Sequence, residues 1–148
     1  MIYTLRSPKG NCFKPNMQES SMSFPETKGI LTFFYYKDLQ KAADFYEKIM
    51  GFQLIQDQKW AKVFKVRDNA YMGCVDGNVG YHKYSDTKPV MLTVIVDDPD
   101  AWYEHFKANG VDTINEPHDD KELNLRIFLL HDPEGYVIEI QKFYEPIP

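Results

Sequence analysis

Residues 35–52 read YYKDLQKAADFYEKIMGF, and this stretch decides the fold. Leu39, Ala42, Ala43, Tyr46 and Ile49 recur at helical spacing. Asp38 stands where an N-cap belongs, because its short carboxylate accepts from the free amides of a first turn. Gly51 falls where a left-handed residue closes a helix. Immediately upstream, ILTFFYYK (30–37) is rich in β-branched and aromatic residues and predicts a strand. About sixty residues further on, VDDPDAWYEHFKANGV (96–111) repeats the pattern. Asp98 caps, Pro99 takes the first helical position, Trp102, Tyr103 and Phe106 form the buried stripe, and Gly110 closes. A fixed offset of this size marks an internal repeat.

The text around the two helices completes the repeat. FQLIQ, WAKVFKV and AYMGCVDG follow the first helix as short strands separated by turn residues, and VDTIN, LNLRIFLL and GYVIEIQKF follow the second. Two βαβββ modules result, module one over about 29–84 and module two over about 88–144. They predict an α+β domain over 27–148, its sheets forming a cup with the helices on the outer face. Residues 1–26 carry no periodicity and are rich in Pro, Ser, Asn and Gly, so they read as an N-terminal arm, either flexible or packed on the domain or on a second subunit.

A chain of 148 residues is one domain's worth and buries a core without staples. Apolar residues at 43% and aromatics at 15% make it globular and ring-rich. A net charge of −5 with scattered lysines and arginines argues against nucleic acid and anionic membranes as partners. No leader-like or spanning apolar run is visible, and Cys12 and Cys74 have no metal-type or disulfide spacing. The expected location is cytoplasmic.

The three segments YYKDLQKAADFYEKIMGF, VDDPDAWYEHFKANGV and DPEGYVIEIQ, in this order on a duplicated frame, resemble the vicinal-oxygen-chelate superfamily, the glyoxalase/bleomycin-resistance/extradiol-dioxygenase group. The resemblance spans about 29–144. It implies a glyoxalase-like fold in which four positions can hold a divalent metal, one early in the first strand and one in the last strand of each module. It also implies dimerisation, with the cup built from two modules of one chain or one module from each of two chains. A twofold homodimer is the expectation.

Those four positions fall on Leu31, Cys74, Met91 and Glu139 when AYMGCV is aligned with GYVIEI, and the four are expected to share one cavity. Leucine does not ligate, a thioether suits hard ions poorly, and catalytic zinc takes about three protein ligands. The expectation is therefore no metal and no cofactor. Glu139 has three readings: a hydrogen-bond acceptor for a ligand, a base in a metal-free reaction, or one half of a structural pair. Arg126 is read as its partner, an anion-binding residue, or a solvated edge residue. Cys74 reads as a small buried hydrophobe more than a nucleophile, and the four histidines as surface residues.

Leu31, Phe33 and Tyr35 share one strand face, Met91, Thr93 and Ile95 the equivalent face of module two, and Trp60 and Phe64 a neighbouring strand. If these faces line the cup, Leu31, Phe33, Tyr35, Trp60, Cys74, Met91, Thr93, Arg126 and Glu139 are the candidate ligand contacts. Such a lining suits a small aromatic or amphipathic molecule. The leading expectation is a metal-independent binding protein. A glyoxalase-like lyase, isomerase or dioxygenase, metal-dependent or using Glu139 alone, is the alternative, and a partner or regulatory domain without a small ligand is the third.

Overall fold

The computed structural model describes residues 24–147; most of the arm read from the sequence lies outside them. Module one comprises β1 (Ile30–Tyr36), α1 (Leu39–Asp44), β2 (Gln53–Asp57), β3 (Ala61–Arg67) and β4 (Ala70–Asp76). Module two comprises β5 (Met91–Ile95), α2 (Pro99–Ala108), β6 (His118–Asp120), β7 (Leu125–His131) and β8 (Val137–Phe143). Each module folds into its own four-stranded mixed sheet, in the orders β1-β4-β3-β2 and β5-β8-β7-β6. The first and last strands of each module run parallel, and the other neighbours are antiparallel.

Both helices start as their sequences dictate. Asp38 Oδ1 accepts from the Lys41 amide at 3.0 Å and Asp98 Oδ1 from the Ala101 amide at 3.0 Å. Gly51 and Gly110 follow the helical segments with φ of 70° and 69°, a conformation that costs a residue with a Cβ and not glycine. The first helix widens into a π-helical turn over Phe45–Ile49, closed by the Met50 amide on the Phe45 carbonyl at 3.0 Å. The strand expected at VDTIN is absent. Thr113 makes a single bridge to Leu130, and β6 forms at His118–Asp120 after Pro117 has ended the irregular stretch.

One core joins the modules. Phe34, Tyr36, Ala42, Tyr46, Phe64, Met72 and Cys74 from module one pack in one cluster with Phe106, Phe128, Leu130, Ile138 and Ile140 from module two. The helices cover one face of each sheet, so the odd-numbered residues of β1 and β5 are left on an open face. Leu31, Phe33, Met91 and Ile95 keep 40%, 45%, 47% and 54% of their surface accessible. No helix of the described residues is long and apolar enough to cross a membrane.

The turn between β7 and β8 plugs module two into module one. Asp132 is buried; its Oδ1 accepts from the Glu134 and Tyr136 amides at 3.0 and 2.9 Å. Its Oδ2 accepts from the Tyr36 and Tyr46 hydroxyls at 2.8 and 3.0 Å, and those two hydroxyls lie 3.1 Å apart. The Glu134 carboxylate takes the Lys37 and Asp38 amides at 2.8 and 2.6 Å. The Tyr136 hydroxyl donates to the Tyr35 carbonyl and accepts from the Tyr35 amide, both at 3.2 Å. Burial in this cluster pushes both the Tyr36 and Tyr46 hydroxyls well above the ordinary phenol range, so they remain donors at any physiological pH.

Candidate functional site

Strand register decides which residues share the open faces. β1 runs beside β4 with Leu31 next to Tyr71, Phe33 next to Gly73 and Phe34 next to Cys74. β5 runs beside β8 with Met91 next to Val137 and Thr93 next to Glu139. Because Phe33 corresponds to Thr93 in the repeat, the counterpart of Glu139 is Gly73. The alignment that put Cys74 opposite Glu139 is one residue out of register, and one residue in a strand exchanges the two faces. Cys74 lies in the core beneath the helices with no accessible surface, where burial raises its thiol far above the usual range. It is neither a cup residue nor a nucleophile.

On the open face of module two, Glu139 is half-buried. Its Oε1 accepts a 3.0 Å hydrogen bond from the Thr93 hydroxyl, and Oε2 has no protein partner among the described residues. Met91 and Ile95 flank it along β5, and Leu129 stands beside it on β7. The result is one carboxylate held by a hydroxyl among largely apolar neighbours, with the Gln141 amide and His131 as the other polar groups of this face. On the open face of module one, Leu31, Phe33 and Tyr35 lie together, with Gly73 beneath Phe33. This half has no charge next to Phe33.

Two expected contacts lie elsewhere. Arg126 shares the helix side of β7 with Phe128 and Leu130, where its Nε and Nη2 grip Asp100 at 2.6 Å each and its Nη1 binds Asp119 at 3.0 Å. A guanidinium held by two carboxylates is not available to Glu139 on the opposite face. Trp60 sits in the turn before β3 and walls a separate cavity of about 450 Å³ with Val79, Gly80 and Tyr81, while Phe64 is buried in the core. Three histidines belong to local structure: His82 packs edge-on to Tyr35, His105 Nε2 contacts the Ile49 carbonyl, and His118 Nδ1 contacts the Glu116 carbonyl; His131, at the end of β7 beside Val137, is exposed on the open face that carries Glu139.

Among the described residues, Leu31, Met91 and Glu139 line none of five cavities. A cavity of about 960 Å³ opens at the start of α1 between Lys37, Lys41, Lys88 and Glu134. Glu139 lines neither it nor four smaller ones. The reason is architectural: the modules meet through their helix-covered faces and the plug, and no extensive contact sets β1 beside β5.

The donor set does not fit a metal ion. At the positions where the resemblance places ligands stand Leu31, Gly73, Met91 and Glu139, which offer one carboxylate. Among the described residues no three His, Cys, Asp or Glu side chains gather as an ion would require. Two features escaped the sequence reading, the glycine at 73 and the buried Tyr36–Tyr46–Asp132 cluster. The only signals were a glycine inside a strand, which marks a close approach, and a carboxylate in a turn.

Paired βαβββ modules with one helix each define an α+β fold class, and comparison with known proteins gives it a family. The model of the Glyoxalase/Bleomycin resistance protein/Dioxygenase superfamily matches residues 30–140; the chain belongs to that superfamily. Among solved structures it is similar to a lactoylglutathione lyase from Agrobacterium tumefaciens, with 18% identity, 80% of this chain and 96% of that one covered, and a TM-score of 0.67. A glyoxalase/bleomycin resistance protein/dioxygenase from Nocardioides gives 19% identity, 86% and 89% coverage and a TM-score of 0.69. TioX from Micromonospora sp. ML1 gives 20%, 78% and 98%, and 0.66. At these identities the likeness shows the fold. No curated protein matches.

Proposed function

We propose that this chain binds a small, flat or amphipathic organic molecule without a metal ion, at a cup completed by a second copy of itself. The observation that carries the reading is the pair of open faces. One is apolar and aromatic around Leu31, Phe33 and Tyr35; the other presents Glu139, oriented by Thr93, among Met91 and Ile95. Each face alone is half a site, and each is too apolar to be left in water at no cost. Facing the module-one sheet of one copy with the module-two sheet of another buries both and closes two equivalent cups around a twofold axis. Each cup then contains one carboxylate, too few for a metal centre and enough to fix a ligand's orientation. The acidic composition and the scarcity of cysteine support a cytoplasmic location within the same proposal.

Sedimentation combined with a thermal-shift screen of flat aromatic compounds tests it. The expected result is a dimer at micromolar concentration, stabilised by aromatic ligands bearing an N–H or O–H and unmoved by divalent ions or EDTA. Stoichiometric metal in protein purified without a His tag, with a large stabilisation by that ion, overturns the reading in favour of a glyoxalase-like lyase or dioxygenase.

A further inference from the structure

Gly73 is fully enclosed although it lies on an open sheet face. What encloses it is Phe33: a Cβ built at residue 73 would fall 2.4 and 2.5 Å from two carbons of the Phe33 ring, well inside contact distance. The ring therefore occupies the space that any other residue at 73 would claim. Yet Phe33 itself is 45% exposed, so it is held against backbone on one side and presented to the open face on the other. In the repeat the same pair of positions carries Thr93 and Glu139, joined by their 3.0 Å hydrogen bond. Equivalent sites in the two modules thus hold opposite chemistries: a ring seated on a glycine, and a carboxylate seated on a hydroxyl.

We infer that Gly73 is a specificity-determining position that seats Phe33 as a stacking floor, and that the ligand class is a planar aromatic compound carrying an N–H or O–H donor at one edge. This rests on the proposed function and narrows it. The floor accepts a ring by offset or edge contact, which favours flat over puckered molecules beyond simple area burial. An ionised carboxylate is acceptor-only, so a ligand that displaces water from Glu139 Oε2 must supply a donor in its place. A puckered ring with the same donor satisfies Glu139 and loses the floor; a flat hydrocarbon satisfies the floor and leaves Glu139 unpaired. Gly73 acts through Phe33, which covers it, and does not itself touch the ligand.

The test uses the full-length protein and a matched pair of probes, 2-naphthylmethanol and decahydro-2-naphthylmethanol, which share one aliphatic O–H of similar acidity and differ in flatness. Titration calorimetry should show 2-naphthylmethanol bound about 3–10-fold more tightly, the factor that corresponds to an aromatic pair. Gly73→Ala displaces the ring toward open space, so the protein stays folded and its preference falls to near unity; Phe33→Leu does the same by removing the ring. Glu139→Gln weakens both probes by a similar factor and keeps the preference, because the discrimination resides in the Phe33 ring and not in the carboxylate. Wild-type protein that binds both probes equally, or a Gly73→Ala variant that keeps the full preference, overturns the inference and leaves the binding function standing. Wild-type protein that binds neither probe overturns the proposed function itself, and this inference with it.

Discussion

Replacing Asp132 by alanine removes the one acceptor that four donors share. In the folded protein the carboxylate receives two amides and two phenols and is 4% exposed. Hydrogen bonds to a charged acceptor contribute roughly 1.5–3 kcal/mol each, and a buried donor left unpaired costs about 1–3 kcal/mol. The loss is less than the sum of four. Two phenols carry two protons, and the Tyr36 and Tyr46 oxygens are already 3.1 Å apart, so one hydroxyl re-pairs with the other; water entering at the exposed end of the turn serves an amide. The net cost is expected at ~3–5 kcal/mol, a large part of the usual 5–15 kcal/mol of a domain's stability. That amounts to a fall in Tm of roughly 10–20 °C for a domain of this size. Tyr36→Phe and Tyr46→Phe should each cost about 1.5–3 kcal/mol, and the double variant less than their sum, because both donate to one oxygen. Urea denaturation followed by circular dichroism gives the values, with the slope of the transition expected to be unchanged. An Asp132→Ala protein whose midpoint shifts by less than about 0.5 kcal/mol would refute the reasoning, since surface changes of no consequence reach that size.

Three further outcomes follow from other parts of the molecule. Arg126 and Tyr144 hold the Asp100 and Asp119 carboxyls below their ordinary values, Asp100 through Arg126 and Asp119 through Tyr144 first and Arg126 second. A lowered folded-state value contributes stability above the unfolded-state value and loses it as pH falls, so Tm should drop below about pH 4, and less steeply in Arg126→Gln. The effect is small because these groups are solvent-exposed. Cys74 should resist iodoacetamide in native protein carrying Cys12→Ala and react once urea unfolds it; reaction in the native state would place the thiol outside the core. Gly80→Ala puts a Cβ 2.5 Å from a Val75 methyl and 2.9 Å from the Asp76 carbonyl, and should destabilise by about 1–3 kcal/mol in the same urea assay, whereas an unchanged midpoint would mean that this loop does not press on β4.

The helices and their ends were legible because local chemistry sets them. Asp38, Asp98, Gly51 and Gly110 act through backbone amides and φ angles next to themselves, so spacing in the sequence is spacing in the structure. Register on β4 was not legible. Met72, Gly73, Cys74 and Val75 are all buried, because the helices cover one face while Phe33 and the loop after β4 cover the other, and a strand buried on both sides loses the alternation that assigns faces. Aligning Tyr71 with Tyr136 then placed the strands one residue apart, since β4 begins before its tyrosine and β8 after it. The position of β6 was missed for a related reason: VDTIN alternates like a strand, but Leu129 spends its amide on the Asn115 side chain, and the ladder begins only after Pro117. Arg126 was expected among the cup contacts because its actual partners are out of sight in the local sequence: they lie on another helix and strand, 26 and 7 residues away.

The plug also sets an order of events for a chain emerging from synthesis. Asp132 and Tyr136 meet Tyr36, Tyr46 and Tyr35 across separations of 96, 86 and 101 residues. Contacts so distant are closed late, because the entropy of ordering the intervening chain is lost before they repay it. Module one, though made first, therefore waits with its two interior phenols bonded only to each other, one proton still without an acceptor, until the last two strands arrive. A chain ending at residue 131 should expose that interior, bind a hydrophobic dye and be cut rapidly by protease. Adding the single segment 132–148, and no more, should abolish both behaviours.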